Sequence, residues 1–122
     1  MARFNSFEEI IAWQKARELN SEIYRITNNG PFSKDFDLRG QIRRSSISIS
    51  SNIAEGFERE TRKEFIRFLY IAKASAGEFR SQLYLASDLD YLESGEFERL
   101  NAKVNEISKL VSGLIKYLAT TL

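Results

Sequence analysis

Cysteine and histidine are both missing from this chain, and proline occurs once, at Pro31. Without cysteine neither disulfides nor thiol chemistry is available, which points to a reducing, cytoplasmic setting. Without histidine there is no Ser-His or Cys-His pair, and the ligand sets of nearly all zinc and di-iron sites are gone. No apolar run approaches the roughly 20 residues that cross a bilayer. The opening MARFNSFEEI lacks a signal-peptide core, so no membrane partner is expected. Neither sign of charge dominates, with 18 Lys and Arg against 17 Asp and Glu. What the chain does have is apolar content: 43% of 122 residues, enough for one domain, 1–122, with its own core.

A single proline leaves room for long helices, and their punctuation is legible. SFEE (Ser6 to Glu9) and TRKE (Thr61 to Glu64) read as capping boxes, in which the hydroxyl accepts from the third helical amide and the glutamate reaches back. NNGP (Asn28 to Pro31) reads as a left-handed terminator followed by a residue that cannot continue a helix, and Ser94 as a cap two residues before Glu96. Helices are therefore expected near 6–28, 36–55, 61–92 and 95–120. Their apolar residues recur at spacings of three and four: Ala12, Ala16, Leu19, Ile23 and Ile26; Phe65, Leu69, Ala72, Ala76, Phe79, Leu83 and Ala86; Phe97, Leu100, Val104, Ile107, Val111, Leu114 and Leu118. Short connections between long helices make neighbours antiparallel, so the expected fold is all-α, an up-down-up-down four-helix bundle.

One stretch resists easy placement. QIRRSSISISSNIAEG (Gln41 to Gly56) is rich in serine, and Ile47 and Ile49 alternate as in a strand. Yet Ile42, Ser46, Ile49, Ile53 and Phe57 fall at helical spacing, and Gly56 stands where a helix would stop. A helix is the better reading. Its serines would let a neighbour approach closely while their hydroxyls bond back to carbonyls. Tight packing is preferred to catalysis, because a nucleophilic serine needs a base and no Ser-x-x-Lys occurs in the chain.

AWQKARELNSEIYRIT (Ala12 to Thr27), LRGQIRRSSISISSNIAEG (Leu38 to Gly56) and EFIRFLYIAKASAGEF (Glu64 to Phe79) resemble the bacterial four-helix-bundle family encoded by intervening sequences of large-subunit ribosomal RNA genes. The most specific element is QIRR followed by SNIAEG at this separation. The resemblance runs through nearly the whole chain. It implies a small homo-oligomer, typically a pentameric ring, with no assigned catalysis. The family is similar to the accessory variability protein of diversity-generating retroelements, which binds nucleic acid and a reverse transcriptase. Two departures are local: Ser50 stands where the family commonly has proline, and Phe36-Asp37-Leu38 where an aromatic-Gly-Leu is usual. The relative's strongly basic character is also missing.

The third segment carries two further rows beside its apolar one. Phe68, Ile71, Ser75, Glu78, Gln82, Leu85, Leu89 and Leu92 form a second row with a polar middle. A carboxylate amid apolar neighbours needs a partner, so Glu78 is expected to meet Arg43 or Arg44. Asn52 and Glu55, members of the motif that carries the resemblance, could cap or join that network, whose expected role is to fix helix register. The third row, Arg59, Lys63, Ile66, Tyr70, Lys73, Gly77, Arg80, Tyr84 and Tyr91, mixes tyrosines with cations. It suits either nucleic acid, with cations on phosphates and tyrosines under bases, or a subunit seam through Ile66, Tyr70, Tyr84 and Tyr91, which is preferred; a plain solvated face is the third reading. Arg59, Arg62, Lys63 and Arg67 crowd a helix start, where the dipole disfavours cations. Such a cluster points to an acidic partner, a neighbouring subunit or a phosphate backbone.

Three function classes follow. The leading one is a non-enzymatic homo-oligomeric scaffold that binds RNA or DNA, or an enzyme acting on them, through Arg59, Arg62, Lys63, Arg67, Lys73 and Arg80. The second is a protein-protein adaptor without nucleic-acid binding. The third is an enzyme using Arg43, Arg44, Glu55 and Glu78 on a small ligand. No phosphate loop, dinucleotide glycine pattern or metal-ligand spacing supports the third, so no catalytic residue, cofactor or metal is expected.

Overall fold

The uninterrupted three-four rows become four helices in the computed structural model, which describes residues 4–120: α1 (Ile11–Ile26), α2 (Phe36–Phe57), α3 (Arg62–Asp88) and α4 (Glu96–Thr120). Each packs on the next, and α4 closes the ring on α1. The result is the antiparallel up-down-up-down bundle expected from the short connections, with no strand among the described residues. Apolar rows converge on one core, where Leu19, Ile23, Ile42, Ile49, Ile53, Leu69, Phe79, Leu83, Leu100 and Ile107 are wholly buried. Removing these side chains from water is the main force holding the four helices together. None of the described helices is long and apolar enough to cross a membrane.

The helix ends depart from expectation for identifiable reasons. The first predicted capping box does not form: Phe7–Glu9 make a 3-10 turn, Ser6 makes no cap bond, and Ile10 is extended before α1 begins. That break turns Ile10 into the core and sets Phe7 edge-on against Trp13, with ring centres 5.0 Å apart. At the second box Thr61 does accept from the Glu64 amide (3.1 Å), while the Glu64 carboxylate turns to Arg59 instead of reaching back. The chain leaves α1 through Gly30, at φ 57°, into a 3-10 segment, Gly30–Lys34; Asp35 then caps α2 by accepting from the Leu38 amide. At the start of α4 the Glu96 carboxylate, not the predicted Ser94 hydroxyl, reaches back to the Glu93 amide (2.7 Å).

Two corrections bear on function. Gly56 does not stop α2, which continues to Phe57; a methyl group there would sit 2.7 Å from Phe68 Cβ and 3.3 Å from the Phe65 carbonyl oxygen. There α2 and α3 approach each other closely. The second correction is that α3 ends at Asp88, short of the predicted 92. Asp90 takes the left-handed conformation (φ 59°), and the amides of Asp90 and Tyr91 bond back to the carbonyls of Ser87 and Ala86. This is the helix stop usually built with glycine, here made by one of the few residue types that tolerate it.

Candidate nucleic-acid interface

Two rows of side chains leave the contact between Tyr84 and Phe97, whose rings meet edge-on at 4.9 Å. Along α3 the row runs back through Arg80, Gly77, Lys73, Tyr70, Ile66 and Lys63; along α4 it runs forward through Asn101, Asn105, Ser108 and Ser112. Steps of three and four keep each row on one side of its helix. Because the helices are antiparallel, Arg80 and Asn101, each four residues from the aromatic contact, lie at one level. Both are left incomplete: Arg80 Nε and Asn101 Oδ1 are buried without a hydrogen-bond partner. Lys63, Lys73 and Tyr70 are exposed, and no described carboxylate forms an ion pair with Arg62, Lys63, Arg67, Lys73 or Arg80.

At the start of α3 the basic cluster divides. The guanidinium groups of Arg59 and Arg67 both lie over the Phe68 ring, at 4.7 and 5.7 Å from its centre, and Arg59 also meets Glu64 at 3.4 Å. The Gly56 contact fixes Phe68, so the ring presents both groups from a rigid base. Arg62 turns the other way. Its Nη1 is buried without a partner, and with Arg59 and Thr61 it lines a cavity of about 350 Å³ whose apolar wall includes Phe57, Phe65 and Leu114. Lys63 stays in solvent between the two groups.

The four residues read as a seam do not stand together. Ile66 packs against the core, Tyr84 leans on Phe97, and Tyr70 is 55% exposed. Tyr91 lies beyond the end of α3 and faces inward, which removes it from the row. Its ring stacks on Phe32 at 4.9 Å, and its hydroxyl donates to Asp35 Oδ2 at 2.9 Å. That bond, with burial and the Asp35 charge adding to it, raises the Tyr91 hydroxyl above its ordinary pKa. Exposed apolar side chains stand instead on the other flank of α3, at Ile71 and Leu85, and at Leu89 just past its end, all members of the second row.

The expected arginine–Glu78 pair is absent. Glu78 is exposed and accepts from Gln82 (3.3 Å). Arg44, also exposed, lines the same shallow depression without an ion pair, while Arg43 donates to Thr27 Oγ1 (2.8 Å) and covers the Tyr24 ring at 4.3 Å. Water solvates Glu78, so no buried charge demanded a partner. Neutral groups join the helices instead. Toward α3, Ser45 donates to Gln82 Oε1 (2.7 Å) and Ser48 meets Ser75 (2.8 Å), with Asn52 bonded to Ser48. Toward α1, Asn20 accepts from Ser46 (2.7 Å) and donates to Ser50 (2.9 Å). Glu55 is exposed and outside this ladder. The serine-rich stretch thus serves both of its neighbours, as the packing reading supposed.

Sequence reasoning missed the charged seam between α1 and α4. Glu22 accepts from Arg99 and from Lys103 (2.7 Å), Lys103 also reaches Glu18 (3.4 Å), and Lys15 meets Glu106 (3.5 Å). Burial alone would raise the Glu22 pKa, but the bonds and charges of Lys103 and Arg99 outweigh it and leave the group below 4.5. Burial likewise opposes charge on Lys103, and Glu22 and Glu18 overcome it, raising that amine above 10.5. These partners lie too far apart in sequence for local spacing to reveal them. Lys109 and Lys116, on the outer side of α4, were also passed over; a search for cations at helical spacing on α4 would have found them. Among the described residues, no three His, Cys, Asp or Glu side chains are grouped to hold a metal ion.

A crystal structure from Bacteroides thetaiotaomicron, of a protein of unknown function from the S23 ribosomal protein family, superimposes with a TM-score of 0.80. It is 31% identical, over 87% of this chain and 96% of that one. No curated protein matches the chain. The model of the family described as 23S rRNA-intervening sequence protein matches residues 8–113, a span that holds the QIRR and SNIAEG segments, the Gly56 contact and both rows of the α3–α4 face. By that match the chain belongs to the 23S rRNA-intervening sequence protein family.

Proposed function

We propose that this protein is a non-enzymatic homo-oligomeric scaffold that binds nucleic acid through the α3 side of its α3–α4 face. One observation carries the reading. On the α1 flank of α4, Arg99, Lys103 and Glu106 are all matched to partners on α1, whereas on the α3 flank Arg62, Lys63, Lys73 and Arg80 have no described carboxylate to neutralise them. Matched charges hold helices together; a line of unmatched cations raises the local concentration of polyanions even on a nearly neutral protein. Self-association uses the opposite flank, where Ile71, Leu85 and Leu89 are 38, 46 and 45% exposed, and a ring of five is the form that the sequence resemblance implies. Such a ring repeats the basic face around one axis.

Binding to a mixed RNA and DNA pool at several salt concentrations tests the first part. Affinity should fall steeply with salt, and Arg62→Glu with Lys63→Glu should abolish binding while the mass by light scattering stays that of the oligomer. A salt-independent interaction, or none, would leave the adaptor reading in its place. A monomeric mass at micromolar concentration would refute self-association.

A further inference from the structure

We propose that α4 supplies the second rail of the binding face, and that the surface formed by α3 and α4 side by side takes a single strand of RNA. This rests on the nucleic-acid reading above and extends it to residues outside the basic row of α3. On α4, Asn105, Ser108, Lys109, Ser112, Gly113 and Lys116 line an open depression of about 440 Å³. Lys109 and Lys116 are two turns apart, about 10 Å along the axis. Neither forms an ion pair with a described carboxylate, and Glu106, the one acidic residue within this turn of the helix, is held away by Lys15 on α1. The α3–α4 face therefore has cations on both banks, Lys63, Lys73 and Arg80 on α3 and Lys109 and Lys116 on the outer side of α4.

The rest of the lining selects among polyanions. Tyr70 and Tyr84 are 55 and 51% exposed on the α3 bank, and rings open to solvent beside cations offer stacking to unpaired bases, which a duplex keeps inside. Asn105, Ser108 and Ser112 line the same depression as Lys109 and Lys116, with Asn101 one turn before Asn105, and all four side chains both donate and accept. Phosphate oxygens only accept, whereas a 2′-hydroxyl does both, so a ribose backbone can use the acceptors of this row as well as its donors. The unbonded Arg80 Nε and Asn101 Oδ1 place one donor and one acceptor at the Tyr84 end of the same face.

The test is anisotropy of a labelled mixed-sequence single-stranded RNA, with DNA of the same sequence and an RNA duplex as comparisons, across a salt series. Lys109→Gln with Lys116→Gln should lower the slope of log affinity against log salt by about 1.4, because each phosphate contact on a single strand contributes about 0.7. Tyr70→Ala should weaken the single strand at least about fivefold and leave the duplex unchanged. Melting temperature and oligomer mass should not move. An unchanged salt slope in the α4 variant, while Arg62→Glu with Lys63→Glu still abolishes binding, would overturn this proposal alone. If the wild-type protein binds no nucleic acid, the parent reading falls with it. Equal affinity for DNA overturns the ribose assignment, and equal or tighter binding of the duplex overturns the single-strand assignment.

Discussion

The seams that α2 makes with its neighbours and the seam between α1 and α4 do the same work with opposite chemistry. Ser45, Ser46, Ser48 and Ser50 join α2 to both flanking helices by short neutral bonds, and all but Ser48 are buried. Glu22, Arg99, Lys103 and Glu18 join α1 to α4 by charge at the protein surface. Small side chains allow the backbones to approach, as at Gly56, and a charged side chain in that space would cost several kcal/mol of desolvation, roughly. Long charged side chains instead span a wider gap and keep their heads partly wet. The α2 seams should therefore ignore pH and salt, and the α1–α4 seam should not.

The largest effect is expected at Gly56. Gly56→Val places a branched side chain where even a methyl would meet Phe68 Cβ at 2.7 Å, and the neighbour is the root of a side chain that cannot swing aside. Overpacking of this kind should cost about 3 kcal/mol, read as a loss of denaturation midpoint with the urea slope unchanged. It should also release Phe68 and with it the two guanidinium groups it supports. A variant as stable as wild type would mean that α2 and α3 are not closely apposed.

Next in size is Asn20→Ala, which removes the amide shared by Ser46 and Ser50. Leaving their buried hydroxyls without that partner, and a gap beside them, should cost about 2 kcal/mol. The penalty should be the same in low and in high salt and from pH 5 to pH 9, because no member of the group titrates there. A salt-dependent penalty would show that charge also governs this seam.

At the charged seam Glu22→Gln should cost less, about 1 kcal/mol at pH 7, since its partners are partly exposed and screened. Its folded-state pKa is depressed, so the stability that it contributes is present above 4.5 and is lost as pH falls through the lower folded value. Wild type and variant should therefore converge in acid. Lys103 behaves in the opposite sense: its contribution is present below 10.5 and is lost as pH rises through its raised folded value. Thermal melts of both proteins across pH would show two arms of lost difference, and a gap constant into strong acid would contradict the Glu22 geometry.

How much of this was legible follows from the range over which each signal acts. The three-four rows located all four helices and nearly every core residue, because helical spacing is local. Thr61 was found as a cap for the same reason. The end of α3 was missed because Asp90, without a glycine, adopts the left-handed turn, and Tyr91 was consequently placed on an outer face instead of against Phe32. Gly56 was read as a stop because the alternative, close approach to Phe68, involves a residue on another helix. The charged seam of Glu22 with Arg99 and Lys103 joins segments whose contact depends on the finished bundle. Of the candidate interface, the α3 cations were visible as a row; the α4 bank needed the Tyr84–Phe97 register to connect it to them.

Glu78 offers the smallest effect and the most direct check on the comparison. Periodicity put it in a row with Phe68 and Ser75, both buried, and an acid so placed would require an arginine. The row, however, is not buried throughout: Ser75 meets Ser48 and Gln82 accepts from Ser45, while Glu78 between them turns to solvent and hydrogen-bonds only to Gln82. A carboxylate in water loses nothing when replaced, and its one bond is long. Glu78→Ala should therefore change stability by less than about 0.5 kcal/mol, the range of an ordinary surface site. A loss near 3 kcal/mol would mean that Arg44, across the same depression, closes on Glu78 in solution and leaves a stranded charge when the acid is removed. The α2–α3 seam would then be ionic too, and the division between neutral and charged seams would fail at the residue where the sequence first suggested a charge.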